Sequence, residues 1–221
     1  MMMRMLWYCE PRCPFQPDGY WPGSGPAPYG TREVGLWTFI GVVSSLFALF
    51  GAAYLMRIGY EDWRLLPPVP WQLWLSTALL GAGDVALLLA ARLAERRRLR
   101  LARRLGALGW VLSAAFVVSQ LWAWEAMAAQ RVVVTAGPAA GFFYMLTGLH
   151  ALHVIGGMVA AAWVLVRARQ GDDVRLGQGM ALCARYWHAL LVLWCAVFGL
   201  LFGMTPELMR DVCAAVGITL R

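Results

Sequence analysis

The sequence predicts an all-α polytopic membrane protein with five transmembrane helices, and three features carry that prediction. Of 221 residues, 61% are hydrophobic and only 14% charged, which leaves too few polar side chains to cover a water-soluble globule of this size. Five separate apolar runs are each long enough for a helix to cross a hydrocarbon layer, which takes about 20 residues. The sequence has no series of ten-residue alternating segments of the barrel type. In lipid a lone segment satisfies its own backbone N–H and C=O groups only as a helix.

The runs cover residues 34–56, 71–93, 106–127, 141–166 and 183–204. Successive helices alternate direction, so the tail before Val34 and the loops at 96–104 and 167–175 share one side. Seven arginines fall between Arg92 and Arg104, whereas the opposite side has Arg57, Arg64, Arg131, Arg210 and Arg221. The positive-inside rule then places the N-terminus in the cytoplasm and the C-terminus outside.

Residues 1–33 are rich in Pro and Gly and lack the apolar centre of a signal peptide, so they read as an extended cytoplasmic tail. Six aromatics there (Trp7, Tyr8, Phe15, Tyr20, Trp21 and Tyr29) favour packing against a partner subunit. Residues 34–204 form the transmembrane domain. Thr205-Pro206-Glu207 then supplies an N-cap residue, a first-turn proline and a first-turn acid, which start a short sixth helix over 205–221. Its apolar Leu208, Met209, Val212 and Val216 share one face, as suits a helix lying at the outer interface or docked on a partner.

The net charge of +7 comes from arginine alone, since the chain has no lysine, and the arginines sit between apolar blocks. That distribution does not suit nucleic-acid binding. Five cysteines, an odd set without a CxxC pair, suggest neither a disulfide framework nor a thiolate zinc site. No nucleophile–base pair, phosphate loop or metal motif is visible.

Ionisable groups inside a span are costly, which makes Asp84, Glu125, His150, His153 and His188 the functional-site candidates. His150 and His153 are three residues apart on one helical face beside Thr147, Gly156 and Gly157, a stripe that suits helix packing better than metal ligation. Three histidines are enough to ligate haem or copper, so depth is the useful test. His153 is about 14 residues from the cytoplasmic end of its span, or ~21 Å, and His188 about five, or ~8 Å, so the two should not meet. That mismatch argues against a haem or metal held by this chain alone.

Asp84 lies mid-span in GAGDVALLL, where a hydrogen bond from a neighbouring helix or another subunit is the favoured role and a proton path the alternative. Glu125, beside Trp122 and Trp124, belongs to the outer interface. The arginine run from Arg96 to Arg104 sets topology and meets anionic headgroups.

The stretches GFFYMLTGLHALHVIGG in the fourth span and ARYWHALLVLW in the fifth resemble subunit III of haem–copper oxidases, the family that includes cytochrome c oxidase. The resemblance extends back through SQLWAW and GLWTFIGVVSSLF, so it covers roughly residues 32–204. It matches the last five of the seven spans of larger members, as in shorter bacterial forms. His150, His153, His188 and Gln120 stand at matching positions. Three carboxylates common in the family are replaced: by Val43 in the first span, by Ala123 in the third, and by Leu191 three residues after the Trp187–His188 pair. Roles of those carboxylates in proton uptake or headgroup binding therefore do not carry over.

The resemblance implies a non-catalytic accessory subunit with no catalytic, cofactor or metal residues of its own. Haem and copper would reside in subunit I, with a further copper centre in subunit II. The chain would pack on those subunits in an inner-membrane complex, hold phospholipids between helices, and stabilise the complex and its proton-coupled O2 reduction. His150, His153, His188, Gln120, Asp84 and Glu125 would be packing or lipid-contact residues. Small faces built from Gly148, Ala151, Gly156, Gly157, Ala160 and Ala161 suit tight helix contacts. An accessory subunit of nitric oxide reductase has the same five-helix pattern and stays open, as do a stand-alone haem protein and a small transporter. The transporter would show a broken helix near the midplane, and these spans look continuous.

Overall fold

The computed structural model describes residues 29–58, 60, 63, 67–169 and 173–203. The tail aromatics before Tyr29 and the proposed helix over 205–221 lie outside them. The described residues form five α-helices: α1 Tyr29–Arg57, α2 Trp71–Glu95, α3 Leu99–Ala129, α4 Pro138–Arg169 and α5 Asp173–Gly203. All five are long and apolar enough to cross a membrane, and among the described residues there is no strand. The chain is an integral multi-pass membrane protein.

The helices outrun the apolar runs that announce them. α3 begins at Leu99, inside the arginine cluster, and α5 begins ten residues before Cys183. A 31-residue helix such as α5 is ~46 Å long against about 30 Å of hydrocarbon, so it exceeds the span by about three turns, and its polar part is the N-terminal stretch DVRLGQG. Apolarity marks where a helix is buried in lipid, and arginine does not end it. Arg185, the first charge inside the fifth apolar run, is carried on α5 by Glu33 of α1, which accepts from its Nη1 at 2.7 Å.

α2 and α3 pair most extensively, α5 lies against both α2 and α4, α3 flanks α4, and α1 packs along α4 and α5. α1 is the least buried of the five and α2 the most. The α2–α3 pair depends on two glycines. A Cβ added at Gly109 would come within 2.7 Å of the Leu87 side chain and 3.2 Å of the Gly83 carbonyl, so only hydrogen fits. Both α2 and α3 end with left-handed arginines, Arg97 (φ 60) and Arg131 (φ 63). In each case the N–H groups that follow reach back to close the last turn, Arg98 to Leu93 and Val132 to Met127.

Three indole N–H groups tie helices together through hydroxyls. Trp187 of α5 donates to Ser113 Oγ of α3 at 2.8 Å, Trp194 of α5 to Thr77 Oγ1 of α2 at 2.9 Å, and Trp124 of α3 to Thr147 Oγ1 of α4 at 3.1 Å. Each hydroxyl spends its own proton on the carbonyl four residues back: Ser113 on Gly109, Thr77 on Leu73 and Thr147 on Phe143. That fixes the oxygen lone pair toward the incoming indole. Trp110 of α3 adds a fourth tie to the Met158 carbonyl of α4 at 3.0 Å.

Two measurements test this packing. Gly109→Val should cost about 1–3 kcal/mol of stability through overpacking, read by denaturant-driven unfolding of the purified protein in mild detergent. Trp194→Phe keeps the ring but loses the bond to Thr77, at a cost of about 0.6–1.7 kcal/mol. Adding Thr77→Val to it should cost less than the sum of the single changes, which a double-mutant cycle measures.

Candidate functional site

The polar residues inside the bundle face three different neighbours. His150 on α4 is fully buried, with its ring 5.8 Å from that of Phe116 on α3 and 5.0 Å from that of Trp194 on α5. His153, one turn on, faces α1. Its ring lies 5.9 Å from that of Phe47 and 6.3 Å from that of Phe39, and its Nδ1 is 2.7 Å from the Leu149 carbonyl. His188 on α5 faces α2, where its Nδ1–H donates to Asp84 Oδ2 at 3.1 Å.

The depth difference expected between His153 and His188 is corrected. Because α5 starts at Asp173, His188 is about fifteen residues into its helix, ~22 Å, and His153 about sixteen from the Arg169 end of α4, ~24 Å. The contacts agree: Tyr186 donates to the His153 carbonyl at 3.0 Å, and Gly157 lies against the Tyr186 and Trp187 rings. Direction around the helix, rather than depth, separates the two imidazoles. Among the described residues no group of three His, Cys, Asp or Glu side chains converges on one point.

Asp84 is 5% exposed, and His188 supplies the hydrogen bond from a neighbouring helix. The carboxylate reaches the histidine from the adjacent helix, α2. Gln120, buried on α3, follows Ser119, whose hydroxyl donates to the Gln72 carbonyl of α2 at 3.2 Å. Glu125 is exposed in the last two turns of α3.

The small residues of α4 divide by role. Gly157 and Ala161 are buried in the bundle, and a Cβ at Gly157 would come within 2.6 Å of Tyr186 and 3.0 Å of Trp187. Gly156 and Ala160 are exposed instead and line an open groove between α1, α4 and α5. Within this chain, then, these two make no close contact with another helix. The groove holds about 580 Å³, and Leu36, Phe39, Leu152 and Ile155 make its walls almost wholly apolar. Of its polar lining atoms, the Tyr186 hydroxyl is engaged on the His153 carbonyl, His153 Nδ1 lies against the Leu149 carbonyl and the Trp187 indole N–H is engaged on Ser113. A groove so largely apolar suits a hydrocarbon chain.

The sequence reading missed the indole–hydroxyl ties and the groove. Ser113 and Thr77 lie 74 and 117 residues from their indoles, so no local spacing announces them. The signal available was the recurrence of Trp with Ser or Thr in runs otherwise free of polar groups.

No family model matches the chain. Individual proteins do. The probable cytochrome c oxidase subunit 3 of Nocardia farcinica is 26% identical over 165 residues, which is 72% of this chain and 79% of that protein. Cytochrome c oxidase subunit 3 of Thermostichus vulcanus is 26% identical over 186 residues, 79% of this chain and 88% of its own length. That of Corynebacterium diphtheriae is 26% identical over 159 residues, 70% and 77%. Over most of its length, on a bundle of five helices long and apolar enough to cross a membrane, the chain is thus similar to several proteins named cytochrome c oxidase subunit 3.

Proposed function

We propose that the chain is the non-catalytic subunit III of a respiratory haem–copper terminal oxidase in a bacterial inner membrane. It packs on the haem- and copper-bearing subunits I and II, holds phospholipid, and stabilises the complex and its proton-coupled O2 reduction. The observation that carries this reading is the apolar groove between α1, α4 and α5, a hydrocarbon-binding surface on a chain similar to named oxidase subunits.

His150, His153, His188, Gln120 and Asp84 serve this role by fixing helix positions, and Glu125 by meeting the interface. The arginine-rich side faces the cytoplasm, so the N-terminus is inside and the C-terminus outside. Seven arginines between Arg92 and Arg104 support that orientation. The aromatic tail over residues 1–33 and the amphipathic segment over 205–221 are docking elements for neighbouring subunits or the outer interface.

Purification of the tagged chain in mild detergent, with an optical spectrum and mass spectrometry, tests the reading. A haem-containing subunit should co-purify, the complex should consume O2, and the chain stripped from it should be colourless. Recovery of the chain alone, or a Soret band in the stripped chain, overturns the proposal. Gly156→Phe should fill the groove while leaving the bundle intact, since a Cβ at Gly156 meets nothing within 4 Å. Retained phospholipid should fall by about one molecule per complex, because a pocket of this size takes one such ligand. Lipid mass spectrometry measures it.

A further inference from the structure

A second, smaller groove lies between α3 and α4 and shares no lining residue with the first. It holds about 230 Å³ and is lined by Ala107, Trp110, Val111, Ala162, Leu165 and Val166. The one polar side-chain atom of that lining, the Trp110 indole N–H, is engaged on the Met158 carbonyl. Along α3 the lining runs only from Ala107 to Val111, a rise of ~6 Å. A helix about 10–12 Å across does not seat in so short a recess, whereas part of one acyl chain does.

The same face of α3 carries arginine at the mouth of this groove. Arg104 stands three residues before Ala107 and seven before Val111, and Arg100 stands seven before Ala107, so both are in helical register with the lining, and both are exposed. The apolar run of α3 starts at Gly106, which puts these guanidiniums at the edge of the hydrocarbon, at the level of lipid phosphates. On the α4 side Arg167, one residue past Val166, holds its guanidinium 5.1 Å from the centre of the Trp163 ring. Between Arg92 and Arg104 seven arginines stand against one carboxylate, Glu95, and the first turn of α3 holds no acid. Cations therefore crowd the end of α3 where the helix dipole favours anions. An occupant with negative charge at headgroup level and hydrocarbon directly below it complements both halves of this surface, as anionic lipids do at basic pockets between transmembrane helices.

We propose that the α3–α4 groove binds one anionic phospholipid, with an acyl chain between Trp110 and Leu165 and the headgroup phosphate on Arg100 and Arg104. The groove between α1, α4 and α5 has no arginine in its lining and takes hydrocarbon whatever the headgroup, whereas this one selects by charge. The proposal builds on the lipid-holding part of the functional reading and adds a second place and a headgroup class.

The test uses the full tagged chain isolated from native membranes in mild detergent, with any subunits it carries. It is titrated with phosphatidylglycerol or with phosphatidylcholine, and native mass spectrometry counts the lipid bound per chain. Phosphatidylglycerol should bind at least about five-fold more tightly than phosphatidylcholine. Arg100→Gln and Arg104→Gln should each weaken phosphatidylglycerol about five-fold, the factor contributed by one basic residue at a membrane surface. Arg92→Gln with Arg96→Gln removes as much charge as the pair of groove changes but from α2 and its C-cap, and should leave binding unchanged. Ala107→Phe, at an exposed lining position, should abolish the preference by filling the groove, and Val166→Trp blocks it from α4 if the first variant does not fold, which gel filtration reports. Equal binding of the two lipids, an equal loss from the Arg92 and Arg96 changes, or full binding by a folded groove-filled variant overturns the proposal. Each of these leaves the functional reading standing, because that reading fails instead when no haem-bearing subunit co-purifies with the unaltered chain.

Discussion

The bond between an indole N–H and a helix hydroxyl is the interaction on which this bundle depends. Inside a bilayer the lipid tails are as apolar as leucine, so burying apolar side chains against each other does little to hold helices together, and packing fit and hydrogen bonds must do so. Trp187, Trp194 and Trp124 reach across three interfaces to Ser113, Thr77 and Thr147. Two of those indoles belong to α5, which is thereby bonded to α2 and α3 at once. Because each hydroxyl already donates to its own helix, the tie costs no backbone bond and sets rotation as well as distance.

Around this centre the helices differ in how firmly they are held. α2, α3, α4 and α5 share glycine-mediated approaches and buried indoles. α1 touches its neighbours mainly through aromatic contacts such as Phe47 and Phe39 with His153, the Glu33–Arg185 pair, and Tyr54 donating to the Leu201 carbonyl at 3.3 Å. The gap left between α1 and the α4–α5 pair is the apolar groove. Loose attachment of one helix and a hydrocarbon-sized opening are therefore two aspects of the same packing.

The histidines show how similar residues come to serve separate ends. His150 and His153 are one turn apart, yet one is enclosed by Phe116 and Trp194 and the other turns to α1. His188 looks away from both, toward Asp84. A carboxylate supplied from α2 to a histidine on α5 couples the rotation of these two helices, since neither can turn without separating the pair.

Helix number, membrane location, the order of the spans and the family resemblance were legible in the sequence, because hydropathy and the histidine-bearing stretches are local properties of the chain. The polar candidates were legible too, since an ionisable group in an apolar run stands out. Their partners were not. The bond from His188 to Asp84 spans 104 residues and that from Trp194 to Thr77 spans 117, and such pairs exist only once helices have chosen neighbours and rotations. The start of α5 also escaped the sequence, because hydropathy reports the lipid-facing part of a helix and not its full length. By itself, then, the sequence determined which segments cross the membrane and which polar residues go with them, since desolvation cost acts residue by residue. Which of those residues meet, which face the groove and which look outward was decided only by the tertiary structure, because those relations depend on the azimuth of each helix and close contact sets it.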